Sequence, residues 1–324
     1  MGFHRTSYRF VSLAATFSVL LACGGGGAPK VASNQPQAPG SPSSPPTADP
    51  LDNQFSHVAI VLEENTAYSD VIGSSAMPYL NALAAQYALA TNYYANTHPS
   101  IGNYFMLTTG QIITNNDAFT GTVSADNIVR RLLSAGLTWK AYAESLPSAG
   151  YVGGDRSPYI KHHNPFAYIS DVRNSSVQKL NIVPFSQFTV DLANNQRPNY
   201  SFIIPNNRHN AHDCPAGGSN CPTAQKLRAA DDWLQANISP LITNAGFQQD
   251  GLLVIVFDES KQSDSVHGGG KIAMVLISSE AKPGYQSATF LQHQSLLKLM
   301  ETSLGLNPLL GAAQSAPDMT DFFQ

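Results

Sequence analysis

Four short apolar runs, each free of charged residues after its first position, constrain the fold of this chain more than any other feature. They are "HVAIVL" from His57, "YSFIIP" from Tyr200, "GLLVIVF" from Gly251 and "KIAMVLIS" from Lys271. Continuous apolar runs rich in β-branched residues are typical of strands that are buried on both faces of a sheet. The runs therefore predict a sheet whose two faces are both covered.

Segments with helical periodicity lie around these runs. They include "SAMPYLNALAAQYA", "SADNIVRRLLSAG", "TAQKLRAADDWLQANI" and "HQSLLKLMETSLGL". In the second of them, Ser124 is the predicted N-cap and Gly136 the predicted stop. Strands that alternate with helices predict an α/β fold, in which a mostly parallel central sheet carries helices on both faces.

The composition supports a folded chain and excludes some partners. Hydrophobic residues make up 43% of the 324 residues, whereas charged residues make up only 12%, against about a quarter in typical domains. A net charge of −4 provides no basic surface for nucleic acid and no polycationic patch for anionic lipid. We therefore expect no nucleic-acid partner.

The N-terminus is typical of an exported protein. Basic residues precede "FVSLAATFSVLLA", an apolar run too short to span a bilayer stably. It ends in "LLAC" at Cys23, which resembles the bacterial lipoprotein box; the alternative is a plain signal peptide with a chance cysteine. We expect a lipoprotein signal peptide in 1–22, a disordered Gly-, Pro- and Ser-rich tether in 23–52 and a catalytic domain in 53–324. The predicted location is the cell envelope, periplasm-facing or on the cell surface, with membrane contact only through the lipid on Cys23.

The two remaining cysteines, Cys214 and Cys221, bracket "PAGGSN". An exported protein favours a disulfide between them. The alternative is a metal-binding pair, although thiolate metal sites usually have the closer C-x-x-C spacing.

Polar residues cluster where the predicted strands end, which is where open α/β sheets place their sites. Glu64 and Asn65 follow the first strand, either at the site or as a cap of the next helix. His209, His212 and Asp213 follow "YSFIIP" and are suitable metal ligands; a polar loop with incidental histidines is the alternative.

A further acidic pair, Asp258 and Glu259, emerges from the most apolar strand and requires a positive partner nearby. His267 and three glycines come soon after it. The segment "HPSIGNYFMLTTG" places Ser100 at the start of an apolar helix. No G-x-S-x-G elbow and no glycine-rich nucleotide loop is present. A serine with carboxylates and histidines therefore indicates metal-assisted attack on phosphorus or sulfur.

Several motifs, in order along the chain, resemble the phosphoesterase family of bacterial phospholipases C and acid phosphatases, which belongs to the alkaline phosphatase-like superfamily. They are "HVAIVLEENTAYSDVIG", "THPSIGNYFMLTTG", "WKAYAESLP", "KHHNPFAY", "IIPNNRHNAHD", "IVFDES", "HGGGKIAMVLIS" and "HQSLLKLMETSLGL". They span about residues 55 to 307. The resemblance implies an alkaline phosphatase-like fold and a metal-dependent phosphoesterase.

The resemblance also implies roles for individual residues. The implied metal ligands are Glu64, Ser100, Asp258 and Glu259, with His209, Asp213 and His267 around a second metal; Asn65 and Asn103 contact phosphate; and His98, His209, His212 and His267 are active-site histidines. Ser100 is the implied nucleophile, which a bound divalent cation such as zinc or calcium activates by lowering its pKa. Asn210 stands where family members often have Asp, which puts the second metal in doubt.

The expected activity is acid phosphatase-like hydrolysis of a small-molecule or lipid phosphate ester through a phosphoserine intermediate. Two alternatives remain open. One is a phospholipase C-type phosphodiesterase that acts on lipid headgroups. The other is a non-catalytic lipoprotein that binds phosphorylated ligands, which the Asn210 departure favours.

Overall fold

The computed structural model describes residues 2, 51 and 54–324. The predictions for the signal peptide, for Cys23 and for nearly all of the tether lie outside the described residues. Within the described part of the chain, the strands are β1 (His57–Glu63), β2 (Ala88–Ala90), β3 (Tyr93–Tyr94), β4 (Trp139–Ala143), β5 (Ile182–Pro184), β6 (Tyr200–Ile204), β7 (Gly251–Phe257), β8 (Met274–Ile277), β9 (Tyr285–Ser287) and β10 (Leu291–Gln292).

Eight of these strands form one sheet in the order β5-β4-β6-β1-β7-β8-β2-β9, and β3 pairs with β10 separately. Every pairing in the large sheet is parallel except those of β8, which runs antiparallel to both β7 and β2. The predicted mostly parallel α/β fold is therefore confirmed. Apolar runs are common to buried strands of either direction, so the orientation of β8 had no signal in the sequence.

The helices are α1 (Tyr68–Val71), α2 (Pro78–Gln86), α3 (Ile101–Thr109), α4 (Ile128–Ser134), α5 (Ser170–Arg173), α6 (Ser186–Ala193), α7 (Thr223–Ile242), α8 (Phe247–Asp250) and α9 (His293–Ser303). None of the helices in the described ranges is long and apolar enough to cross a bilayer. Longer runs between strands are wound partly as 3-10 turns, among them Lys161–His163.

The predicted N-cap of α4 was wrong. Asn127, not Ser124, precedes the helix, and its side-chain oxygen accepts the Arg130 N–H at 3.1 Å. Ser124 lies too far upstream because the first turn begins three residues later than expected. Gly136 follows the helix with φ +73, the left-handed conformation that ends helices.

The predicted disulfide is present. Cys214 and Cys221 are bonded, with 5.9 Å between their Cα atoms. The bond closes the Gly-rich loop that follows the His209–Asp213 segment and precedes α7.

The two central strands carry the candidate site. Every residue of β7 is buried, as is every residue of β1 except His57. Because the strands run parallel with Glu63 opposite Phe257, the next residues, Glu64 and Asp258, leave the sheet side by side.

Candidate active site

Three carboxylates meet at the carboxyl ends of β1 and β7. Glu64 and Asp258 are completely buried, and Glu259 is 1% exposed. The backbone continues the sheet at this point, since the Asp258 N–H donates to the Glu63 carbonyl and the Glu64 N–H to the Asn210 carbonyl, both at 2.8 Å. The sheet itself therefore holds this acidic group in place.

Asn65 joins the two strand ends. Its backbone N–H donates to Asp258 Oδ1 at 3.0 Å, and its amide nitrogen donates to Glu64 Oε2 at 2.7 Å. It adopts φ +46, a left-handed conformation that asparagine tolerates better than most residues. Asn65 is thus a bridge between two acids, and its predicted phosphate contact stays a prediction.

Ser100 directly precedes α3 and is 3% exposed. Its hydroxyl donates to Glu64 Oε2 at 3.1 Å instead of capping the helix. The Asp117 carboxylate replaces it as a cap and accepts the Ile101 N–H at 3.1 Å. The serine hydroxyl is therefore free of a capping role and faces the acids.

Two contacts to Glu64 were not assigned from the sequence. Tyr104, one turn after Ser100 on the same face of α3, donates its hydroxyl to Glu64 Oε1. His163 lies with its Nε2 3.3 Å from the same oxygen and stacks on the Tyr104 ring at 5.4 Å. The i, i+4 spacing from Ser100 would have found Tyr104; no spacing rule connects His163 to this site.

The site has an excess of negative charge. Within residues 54–324, no Lys or Arg forms an ion pair with Glu64, Asp258 or Glu259. Burial raises the pKa of all three carboxyls. The neighbouring carboxylates raise the pKa further at Glu64 and Glu259, while hydrogen bonds from Asn65 oppose the rise at Asp258. A cation bound among these carboxyls would stabilise their ionised forms and offset this rise.

Unpaired atoms also suit a cation and an anionic ligand. At the site, four buried atoms lack a hydrogen-bond partner among the described residues: Asp258 Oδ2, Glu259 Oε2, His98 Nδ1 and His163 Nε2. Carboxylate oxygens and imidazole nitrogens are ligands for divalent metals. The donor set therefore fits a divalent metal, although no group of three acidic, His or Cys side chains in the described ranges is already arranged around a metal position.

His98 and Asn103 shape the segment before α3. His98 lies with Nδ1 3.1 Å from Glu259 Oε2, outside hydrogen-bond geometry, and its Nε2 is 2.9 Å from the Asp264 carbonyl. The Asn103 oxygen accepts the N–H groups of Asn96 and Thr97, and its amide donates to Thr97. Asn103 thus braces the loop that carries Ser100, and its predicted phosphate contact stays a prediction.

The residues predicted around a second metal have separate contacts. His209 Nδ1 lies 2.9 and 3.0 Å from the two carboxylate oxygens of Glu144. His212 Nδ1 lies 2.8 Å from Asp213 Oδ1. His267 is exposed, at φ +55, and its ring contacts Tyr94 and Phe290. These contacts give the second metal site no support.

Asn210 has a structural role. It is 1% exposed, and its side-chain oxygen accepts the His212 N–H at 3.1 Å. With its carbonyl bound by the Glu64 N–H, Asn210 fixes the turn against β1. His293, at the start of α9, is likewise buried and lies 2.7 Å from the Asp258 carbonyl.

Comparison with known proteins places the chain in a family. The model of the phosphoesterase family matches residues 73–307. The chain belongs to the phosphoesterase family and is a hydrolase that acts on phosphoric ester bonds.

Two relatives and two solved structures extend this result. The chain is 32% identical to a phosphatidylinositol-3-phosphatase of Mycobacterium tuberculosis, over 83% of each chain. It is 32% identical to an acid phosphatase of Aspergillus fumigatus over 76% of its own length and 54% of that protein, so it spans about half of this fungal relative. Two solved structures share the fold. One is an alkaline phosphatase superfamily protein from Vibrio parahaemolyticus (TM-score 0.58, 12% identity, 86% of this chain and 76% of that chain). The other is the lipoteichoic acid synthase LtaP of Listeria monocytogenes (TM-score 0.58, 12% identity, 82% of this chain and 77% of that chain).

Proposed function

We propose that this protein is a metal-dependent phosphatase that forms a phosphoserine intermediate on Ser100. The observation that carries the proposal is the hydroxyl of Ser100 at 3.1 Å from Glu64, next to buried carboxylates that have no Lys or Arg paired with them in the described ranges. A divalent metal bound there would supply charge neutralisation and lower the pKa of the serine hydroxyl. Glu64, Asp258 and Glu259 are the side chains that would hold it.

In the first step the Ser100 oxygen attacks phosphorus, the new O–P bond forms, and the bond to the leaving alcohol breaks. The helix α3 begins directly after Ser100, so its N-terminal end favours the charge on the transferring phosphoryl group. The amide of Asn65 and the unpaired Nε2 of His163 are near enough to Glu64 to contact non-bridging oxygens. Fixed donors of this kind contribute about 10²–10³ in rate each.

The leaving alkoxide needs a proton, and we assign this role to His209. Glu144 holds its Nδ1, which fixes the ring with Nε2 directed away from the carboxylate. The adjacent residue, Asn210, contacts Glu64 through its backbone, so His209 lies one residue from the site. The Ser100 proton passes to Glu64 Oε2, its hydrogen-bond acceptor, as the serine oxygen attacks. Water then attacks phosphorus and the bond to Ser100 oxygen breaks; one proton of the water returns to His209, and Glu64 returns its proton to Ser100.

We propose a phosphate monoester as the substrate, because the relatives named above are described as phosphatases. The test uses p-nitrophenyl phosphate, its phosphorylcholine diester and a phosphatidylcholine emulsion, with and without added divalent metal. Turnover of the monoester together with a phosphorylated Ser100 peptide, trapped by acid quench and found by mass spectrometry, supports the proposal. Turnover of the diester or lipid alone would support the phospholipase C-type alternative.

Ser100→Ala is the matched variant. Removing a catalytic nucleophile typically costs about 10⁴–10⁶ in rate. Undiminished hydrolysis by this variant contradicts the phosphoserine step, and full metal binding without any hydrolysis by the wild type would favour the non-catalytic alternative.

Export and lipidation at Cys23 remain a proposal that rests on the sequence. Labelling of the wild type and of Cys23→Ala with a fatty-acid analogue tests it.

A further inference from the structure

A cavity lies beside the residues of the proposed catalytic centre. Its volume is about 340 Å³, which is within the range of small-molecule sites, about 300–1,000 Å³. The residues that decide its chemistry are Asp117, Phe119, Asp155, Lys161, Tyr168 and Arg173. Lys161 and Tyr168 belong to the segment "KHHNPFAY", and apart from Asp117 as a helix cap no residue of the cavity was given a role.

Two cations line this cavity without an anionic partner. Lys161 is only 8% exposed, and its Nζ lies 4.1 Å from the centre of the Tyr168 ring. Arg173 Nη1 is buried and has no hydrogen-bond partner among the described residues. Neither side chain forms an ion pair within residues 54–324. Burial lowers the pKa of Lys161, the charge of Arg173 lowers it further, and Asp155 opposes both. The two cations therefore share the cavity with carboxylates to which they are not ion-paired.

The two carboxylates of the cavity are already engaged. Asp155 Oδ1 accepts the Lys161 backbone N–H at 2.8 Å. Asp117 Oδ1 accepts the Ile101 N–H at 3.1 Å, and its Oδ2 lies 4.0 Å from His162 Nε2. They hold the surrounding loops, and the polar groups left for a ligand are those of the two cations.

The cavity is linked to the reacting atoms by short paths. Lys161 and His163 belong to one 3-10 turn, and His163 lies 3.3 Å from Glu64. On the other side, Asp117 binds the residue that follows Ser100. A group attached a few bonds from a phosphate on Ser100 would therefore reach the cavity.

The cavity also has an apolar wall. Phe119 and Tyr168 stack with 5.7 Å between ring centres and 25° between ring planes. Guanidinium and ammonium groups bind phosphate through charge-assisted hydrogen bonds, and the stacked rings would contact the carbon skeleton between two phosphates. We propose that Lys161 and Arg173 bind a second phosphate group of the substrate, so that the enzyme prefers bisphosphorylated substrates. This inference rests on the proposed function.

The test compares alkanediol bisphosphates of increasing length with the alkyl monophosphates of the same length. At the length that spans both sites, we expect kcat/KM for the bisphosphate to exceed that for the monophosphate by about tenfold or more, since a hydrogen bond to a charged group contributes about 1.5–3 kcal/mol. Arg173→Gln and Lys161→Gln should each reduce this ratio by about fivefold or more. Arg228→Gln, which removes an exposed arginine of α7, should leave the ratio unchanged.

A ratio near unity at every length, or a ratio that neither substitution changes, overturns the inference while hydrolysis itself persists. If no ester is hydrolysed, the proposed function fails instead, and the inference is then decided by binding. Calorimetry with the Ser100→Ala protein should show tighter binding of the bisphosphate than of the monophosphate. Equal affinities would overturn the inference independently of catalysis.

Discussion

Two sets of buried acids in this protein differ in what surrounds their oxygens. Both oxygens of Asp231, on α7, accept backbone N–H groups at the start of α2, from Tyr79 and Leu80 at 2.9 Å each. Both oxygens of Glu301, on α9, accept the Leu310 N–H. At the ends of β1 and β7, by contrast, Asp258 and Glu259 each retain an unpaired oxygen.

Unpaired carboxylate oxygens therefore indicate a site only where several acids surround a reactive group. Glu63 shows this, because it is fully buried and both of its oxygens lack a partner among the described residues. It precedes Glu64 in the chain, and alternate residues of a strand face opposite sides of a sheet. Burial raises the pKa of Glu63, as do the charges of Glu144 and Asp231, so unpaired oxygens alone do not mark a cation site.

Removing divalent metal should have the largest effect and tests whether the gathered acids bind a cation. Incubation with a chelator is expected to reduce hydrolysis of p-nitrophenyl phosphate by about 10³ or more, because a bound metal contributes several kcal/mol to the transition state. Adding back a divalent metal should restore the rate and raise the unfolding temperature. Full activity in the chelator, with no metal found by elemental analysis, would contradict the metal site.

Glu64→Gln and Glu63→Gln form a matched pair of neighbouring substitutions on opposite faces of one strand. Glu64→Gln should reduce kcat by about 10² or more, because it removes a carboxylate that would hold the metal and that accepts the Ser100 hydroxyl. Glu63→Gln should retain activity, because its side chain faces the side of the sheet opposite to Ser100. Equal losses in the two variants would show that burial, and not position at the site, decides the effect.

Tyr104→Phe tests the hydroxyl that supports Glu64 from α3. Its loss should reduce kcat by about tenfold, the effect of one hydrogen bond to a charged group. Tyr142→Phe is the control, because that buried hydroxyl donates to Asp191 at 2.8 Å, a residue outside the site. An identical rate for Tyr104→Phe and wild type would remove Tyr104 from the site.

Glu301→Gln should have the smallest effect, and it concerns stability. Burial raises the pKa of Glu301 to about 8, so between its unfolded pKa of about 4.3 and this value the native state binds a proton that the unfolded state releases. The free energy of unfolding should therefore fall as the pH rises through this range. In Glu301→Gln the unfolding temperature should fall less over the same pH range, by a few °C. An unchanged dependence on pH would refute the raised pKa of Glu301.

The sequence predicted the strands and the acids at their ends because apolar runs mark buried strands and parallel neighbours end together. Glu64 and Asp258 followed directly from β1 and β7. The partners of Glu64 did not follow, since His163 comes from an irregular loop whose path depends on tertiary packing. The different contacts of His209 and His212, after β6, could not be predicted for the same reason. Ala211, between them, has φ +69, which turns the chain in a way that the spacing does not reveal.

The position of β1 within the sheet has a consequence for how the protein opens. Three strands lie on one side of β1 and four on the other, so its amides are bonded far from any edge. Local opening events begin at edges and loops. Amide hydrogens of β1 should therefore exchange with solvent only when the whole domain unfolds, whereas those of the loop before α3 should exchange much sooner. Glu64 thus follows the strand whose amides should exchange most slowly, whereas Ser100 lies in a loop whose amides should exchange faster.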